Sequence, residues 1–183
     1  GQFYFPMFSQ SNKKLANGLD LESKSSVASI TMQNGLFRYR TDSETVINYI
    51  NGRKDEYTNL YDQYNNVYKT EHKIFELDEA NTSEVLFKTQ ITESFNFMPL
   101  VPNGHPFLPE RVETTHILHS NNSQMADIVL LEYTDFGRLE KKTVRPNTDA
   151  QVVETYQYDS KGNLITKTTV PHAMQIVTES FEY

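Results

Sequence analysis

Cysteine and tryptophan are both missing from this 183-residue chain, and glycine and proline number only seven each. Without cysteine there is no disulfide, no thiolate metal site and no cysteine nucleophile. No apolar run reaches the length of a transmembrane helix, so no membrane-spanning helix is expected. Clustered cations are lacking too. The net charge is −7, and the densest positives, Lys141, Lys142 and Arg145, have acidic neighbours such as Glu140. Binding a phosphate backbone needs clustered Lys and Arg, so nucleic acid is not an expected partner. There is no Gly-x-Ser-x-Gly elbow, P-loop or dinucleotide fingerprint, which leaves serine-hydrolase and nucleotide-dependent chemistry without support and no cofactor implied.

What remains is a β-sheet composition: eleven Tyr, eleven Phe and abundant Thr and Asn. A compact chain of this length buries roughly 70% of its unfolded surface, enough to fold alone as one domain. Its organising feature is a repeat. The chain reads Tyr133-Thr-Asp-Phe-Gly-Arg-Leu139, then Tyr158-Asp-Ser-Lys-Gly-Asn-Leu164 twenty-five residues later. A weaker copy, Tyr61-Asp-Gln-Tyr-Asn-Asn-Val67, has Asn65 where the others have glycine. Asp starts a turn by bonding the backbone ahead of it, and Gly or Asn closes one with a positive φ. Because β-formers flank each copy, strand, tight turn, strand is the reading.

These residues resemble the YD repeats of Rhs-type and teneurin-type proteins. The match lies in Tyr158, Asp159, Gly162, Asn163 and Leu164, with Thr166 and Thr168 beyond. Tyr133, Asp135, Gly137, Arg138 and Leu139 repeat it with Asp displaced by one place. The resemblance implies non-catalytic β-hairpins that build long sheets. It covers well under half of the chain, and similar motifs occur in small exported bacterial proteins of unknown function.

A second rhythm comes from Asn17-Gly18, Asn34-Gly35 and Asn51-Gly52, spaced seventeen residues apart. Asn-Gly suits a type I′ hairpin turn, and the period suits two strands of five to six residues with two turns. The predicted strands of the first half are Val27–Gln33, Leu36–Thr41, Thr45–Ile50, Arg53–Tyr61, Val67–Leu77 and Val85–Phe95. Four prolines between Phe97 and Pro109 predict a connection there. Arg111–His119, Ala126–Thr134, Arg138–Arg145, Val152–Tyr158, Asn163–Val170 and Gln175–Tyr183 follow as strands. Residues 1–26 read as an irregular arm, 27–96 as a first meander half, 97–109 as the Pro-rich connection and 110–183 as a second, YD-like half. The fold class is all-β, an antiparallel meander of about ten to twelve strands whose curved sheet is either open or rolled towards a barrel or sandwich. Ala126–Tyr133 is apolar on both alternating faces, which predicts a central strand covered on both sides.

Chemistry-bearing patterns are sparse. His116 and His119 lie three apart, which on a strand sends them to opposite faces, so no metal site is implied. His105 sits in the Pro-rich connection as an ordinary polar loop residue. Paired acids such as Glu93 and Glu110 can be drawn freely from 24 carboxylates, so pairing them carries little information. Tyr57, Tyr61, Tyr64 and Tyr68 form the densest aromatic cluster. They are the candidate ligand-binding residues if exposed as a stacking platform, and cross-strand pairs if half-buried. The sequons Asn81-Thr-Ser83 and Asn121-Asn-Ser123 mark turns.

The functional expectation is an exported, non-enzymatic module that engages protein or polysaccharide by a sheet face or edge. The signal segment is read as already removed ahead of Gly1. The alternative is a carboxylate-dependent hydrolase of polysaccharide or peptide. If Gly162 has a positive φ, its replacement by Ala costs roughly 1 kcal/mol or more. An unchanged melting temperature would refute the turn.

Overall fold

A computed structural model of the chain describes residues 5–33, 36–62, 65–80, 83–98, 108–171 and 176–182. It is all-β, with twelve strands: β1 (Phe5–Lys14), β2 (Asp20–Gln33), β3 (Leu36–Asn48), β4 (Arg53–Tyr61), β5 (Val67–Leu77), β6 (Glu84–Met98), β7 (Leu108–Leu118), β8 (Ser123–Tyr133), β9 (Leu139–Val144), β10 (Val152–Tyr158), β11 (Leu164–Pro171) and β12 (Val177–Ser180). Their hydrogen-bonded order is their chain order, a meander that runs from β1 to β12 without closing into a barrel. Among the described residues no helix is long and apolar enough to cross a membrane. The chain divides into two compact units, Gly1–Thr92 with Thr115–Met125, and Glu93–Thr114 with Ala126–Tyr183. The division passes through β6, β7 and β8 rather than the Pro-rich connection, of which residues 99–107, His105 included, lie outside the described residues.

From Phe5 onward the N-terminal arm is not irregular. Phe5–Lys14 is a ten-residue strand, and β2 begins at Asp20, seven residues before the predicted start at Val27. The stretch Asp20–Ser26 has few β-formers, so propensity alone places no strand there. Pairing on both sides creates it. Lys13 opposite Glu22 closes an ion pair at 2.8 Å, Ser9 bonds Ser26 at 2.7 Å, and Lys24 reaches Glu44 at 2.7 Å. Pro6 is compatible with β1 because that strand ends the sheet and one of its edges needs no ladder donor.

The seventeen-residue period also resolves differently. It spans one long strand and a turn, with β2 at 14 residues and β3 at 13, rather than two short strands. The polar residues Asp42, Ser43 and Glu44 read as a break between strands. The break is a β-bulge: Val27 faces Ser43 and Ala28 faces Thr41, which leaves Asp42 as the extra residue.

Four loops share one construction. In each, the residue at the fourth place donates its N–H to the carbonyl of the first, and the first donates to the carbonyl of the fifth. Gly18 bonds Leu15 at 2.9 Å, Asn65 bonds Asp62 at 3.1 Å, Gly137 bonds Thr134 at 2.8 Å and Gly162 bonds Asp159 at 3.0 Å. The returning bonds, Leu15 to Leu19, Asp62 to Asn66, Thr134 to Arg138 and Asp159 to Asn163, span 2.8–3.0 Å. The fourth residue has a positive φ in each: +86° at Gly18, +77° at Asn65, +75° at Gly137 and +92° at Gly162. This is the three-residue hairpin loop with a left-handed closing residue. It replaces the expected type I′ turn at Asn17-Gly18, because Asn17 is not in the positive-φ region. Asn51 before Gly52 is also outside the positive-φ region, in a four-residue connection between Asn48 and Arg53, and Asn34-Gly35 lies outside the described residues.

The first loop residue locks each repeat loop. Asp159 accepts from the N–H groups of Lys161 and Asn163 at 2.9 and 2.8 Å, and these bonds hold its carboxyl below its usual range. Asp62 accepts from the N–H of Asn66 at 2.8 Å. In the copy where Asp is displaced, Thr134 Oγ1 takes over and accepts from the N–H of Arg138 at 3.1 Å.

The aromatic residue heading each repeat has one task throughout. Tyr61, Tyr133 and Tyr158 donate their hydroxyls to the backbone carbonyls of Thr41, Pro109 and Leu139, at 2.8, 3.1 and 2.8 Å. Each acceptor lies on the preceding strand. Thr41 O, left beside the bulge, also accepts from Asn59 Nδ2 at 2.9 Å. A side chain thus completes the ladder where backbone pairing stops. In two copies an arginine roofs the ring: Arg40 lies over Tyr61 at 5.1 Å and Arg138 over Tyr158 at 5.8 Å. Arg40 also donates to Asn65 Oδ1, and the Arg138 guanidinium occupies the space above Gly162 where a Cβ would stand.

Few side chains are buried. Among the described residues, Ala28 is the one buried apolar residue, joined by Ser29, Thr89 and Thr143. The predicted cover on both faces of β8 is absent: Ile128, Val129 and Leu131 are half-exposed and Leu130 is exposed. Strands on either edge hide a strand's backbone, whereas hiding its side chains needs a second layer. The sheet is held by its ladders and by cross-strand pairs, each worth a few tenths to about 1 kcal/mol.

Both Gly18→Ala and Gly162→Ala strain a left-handed residue, but nothing lies within 4 Å of a Cβ at position 18. Gly162→Ala also dislodges Arg138 from Tyr158. We expect it to cost more by about 0.5–1 kcal/mol, the worth of an exposed cation–π contact. The excess should vanish in an Arg138→Ala background, as read by urea unfolding.

Candidate functional site

Of the candidate tyrosines, Tyr57, Tyr61 and Tyr68 are half-buried strand residues. Tyr57 on β4 faces His72 on β5, and the rings stack with centroids 4.2 Å apart and planes 16° from parallel. His72 Nε2 is 2.6 Å from Asp55 Oδ1, and Arg53 binds the same carboxylate with two N–H groups at 2.7 Å. Burial pushes the Asp55 carboxyl upward, but the bonds from Arg53 and His72 outweigh it and hold the group below its usual range. Burial pushes the Tyr57 hydroxyl up, with the Asp55 charge adding to it. Tyr61 is committed to Thr41 and covered by Arg40, Tyr68 is half-buried, and Tyr64 lies outside the described residues. The structure therefore links Tyr57 and Tyr61 to different partners and lines up no open platform from them.

A more open aromatic site is found in the second unit. Phe136, Arg138, Glu140, Tyr156, Tyr158 and Ile165 line a groove of about 460 Å³. Phe136 sits at the tip of the Thr134–Arg138 loop and is 84% exposed. Arg138 follows on the same loop. Tyr156 and Tyr158 alternate along β10 and so share a face. Tyr158 is fixed by its bond to Leu139 and its cover by Arg138. Tyr156 is fixed by donating to Glu154 Oε2 at 3.1 Å. The walls are therefore preset, while Phe136 presents a free ring and Glu140 an exposed carboxylate. Sequence reasoning missed this site, although Phe136 in a polar loop was the available signal.

Through Tyr156 the groove wall is tied to a charge cluster around Glu154. Glu154 binds Lys167 Nζ at 2.8 Å and Lys142 Nζ at 3.1 Å, one lysine from each flanking strand. The Lys167 bond, with those of Lys142 and Tyr156, holds its carboxyl at about 2 despite burial acting upward. The Tyr156 hydroxyl is pushed up, chiefly by burial and then by Glu154.

His116 and His119 have separate surroundings. His119 Nε2 bonds Thr89 Oγ1 at 2.9 Å, whereas His116 lines a separate hollow with Lys88 and Met125. Among the described residues no three His, Asp or Glu side chains gather as metal ligands. Glu93 and Glu110 lie on β6 and β7.

No protein-family model matches the chain, and no curated protein matches it. Among solved structures it is similar to a protein of unknown function from Bacteroides fragilis, at 8% identity over 91% of this chain and 93% of that one, with a TM-score of 0.33. A likeness of that degree adds nothing to the functional reading.

Glu154 gives a signed pH dependence. Its folded pKa of about 2 lies below the ordinary value of 4.5, so its stabilisation is complete above that value and is lost as pH falls towards 2. With solvent screening of its partly exposed lysine partners, Glu154→Gln should cost on the order of 1 kcal/mol at neutral pH. In urea unfolding the gap to the parent chain should close between pH 4.5 and 2. A gap that stays constant to pH 2 would show that the lysine bonds do not stabilise the fold.

Proposed function

We propose that this chain is an exported, non-enzymatic binding module that engages a polysaccharide through the groove of the second unit, with protein as the other partner class. The supporting observation is the free ring of Phe136 beside a preset wall of Tyr156, Tyr158 and Arg138. An exposed aromatic face stacks on the apolar face of a sugar ring, and neighbouring Arg138 and Glu140 supply a hydrogen-bond donor and acceptor for hydroxyls. Apolar contact with a few placed polar groups is the usual composition of a ligand site. The internal hairpin repeat fits the same reading, because the YD-type repeats it resembles serve as scaffold.

Hydrolysis of polysaccharide or peptide is the less favoured reading. A carboxylic general acid needs a pKa raised towards the working pH. Asp55, Glu154 and Asp159 are instead all held low by donors.

Affinity electrophoresis against a broad polysaccharide panel, with the incubated samples checked for released sugar, tests the proposal. Retardation without release is expected, and Phe136→Ala should weaken it about tenfold or more, in line with the roughly 1.5–3 kcal/mol of burying a Phe side chain against a ligand. Tyr57→Ala should leave it unchanged. Released sugar would overturn the non-enzymatic reading, and retardation indifferent to Phe136 would move the site elsewhere.

A further inference from the structure

The Asn-Gly pairs have a chemistry that neither the hairpins nor the groove uses. Asn-Gly is the pair in which a backbone nitrogen most readily attacks the preceding side-chain amide, because glycine puts no Cβ in the way. The attacking nitrogen must first lose its proton, so a hydrogen bond that holds its N–H opposes the reaction. Here two such pairs are described, and they differ in that respect. The N–H of Gly18 donates to Leu15 O at 2.9 Å, and Asn17 Oδ1 is itself engaged by the N–H of Leu19 at 3.2 Å. Among the described residues no acceptor takes the N–H of Gly52. The Asn48 side chain there takes the N–H groups of Ile50 and Asn51 instead, at 3.1 and 3.3 Å. Asn51 is exposed, and Ile50 beside it is 76% exposed, so water reaches the turn. Gly52 is anchored on its other side, where its carbonyl accepts from the N–H of Leu77 at 2.8 Å.

We infer that Asn51 is a site of spontaneous deamidation in the folded protein, and that it reacts ahead of Asn17. The Gly52 nitrogen gives its proton to solvent base and bonds to Asn51 Cγ. The Cγ–N bond of the side-chain amide breaks, and the amide nitrogen leaves with a proton as ammonia. Water then opens the resulting succinimide at either carbonyl, giving aspartate or isoaspartate. One water enters and one ammonia departs, with no change of oxidation state. The product carries a new negative charge beside Arg53, whose guanidinium is already engaged with Asp55. In its isoaspartate form it also lengthens the backbone between β3 and β4. The Asn51-Gly52 turn is thus a built-in site of chemical ageing that alters the start of the Arg53–Asp55–His72 network.

The intact protein, incubated in mildly alkaline buffer and then digested, is read by peptide mass and by separation of the aspartate and isoaspartate forms. In the folded protein the peptide holding Asn51 should convert about fivefold faster than the one holding Asn17, the factor set by one net amide hydrogen bond. In concentrated urea the two rates should converge, because the difference lies in the folded turns. Asn51→Gln should abolish the product at that peptide and leave the Asn17 rate unchanged. Equal rates in the folded state, or faster reaction at Asn17, would overturn the inference. A difference that persists in urea would overturn its structural cause.

Discussion

Closing an antiparallel hairpin over three residues requires one of them to stand in the left-handed region, and this requirement fixes the rest of the structure. Gly18, Gly137 and Gly162 satisfy it without a side chain, and Asn65 satisfies it with one that Arg40 holds by a hydrogen bond. The loop leaves a backbone carbonyl unpaired at the end of the neighbouring ladder. Tyr61, Tyr133 and Tyr158 answer that deficit with their hydroxyls. Turn residue, tyrosine and carbonyl therefore form one unit in the three repeat copies, whereas the Gly18 loop turns without a tyrosine.

Such units give stability locally. Neither compact unit buries a large set of apolar side chains among its described residues, so each strand depends on its immediate neighbours. Lysine and glutamate pairs across strands, such as Lys13 with Glu22 and Lys141 with Glu132, take the place of a second layer. Exposed pairs of this kind contribute little singly. Glu154, gripped from both flanking strands, is the strongest case. The same economy leaves large apolar side chains such as Phe136 exposed, which supports the proposed binding role.

Position also separates two aromatic groups of similar composition. The tyrosines of β4 stack, donate and lie under arginine, so their surfaces are spent on the fold. Phe136 has no hydroxyl to commit and stands at a loop tip, so its surface stays available. Tyr156 and Tyr158 do both jobs, anchored at their hydroxyls while their positions line the groove.

The all-β class, the meander and most strands were legible in the sequence by itself, because turn chemistry and alternation are local properties. The spacing of Tyr, Asp and Gly in the repeats placed the turns, and Asn65 was visible as the stand-in for glycine. Only the tertiary structure decided the rest. Propensity leaves Asp20–Ser26 unassigned, and pairing with β1 and β3 makes it strand. The apolar alternation of Ala126–Tyr133 signals burial, but whether a second layer arrives depends on the whole chain. The groove depends on which loop residue points outward beside which strand, and the contrast between Gly18 and Gly52 depends on where single N–H groups find acceptors. Local sequence sets where the chain turns; distant partners set what each turn leaves exposed, since burial and hydrogen-bond satisfaction belong to the assembled sheet.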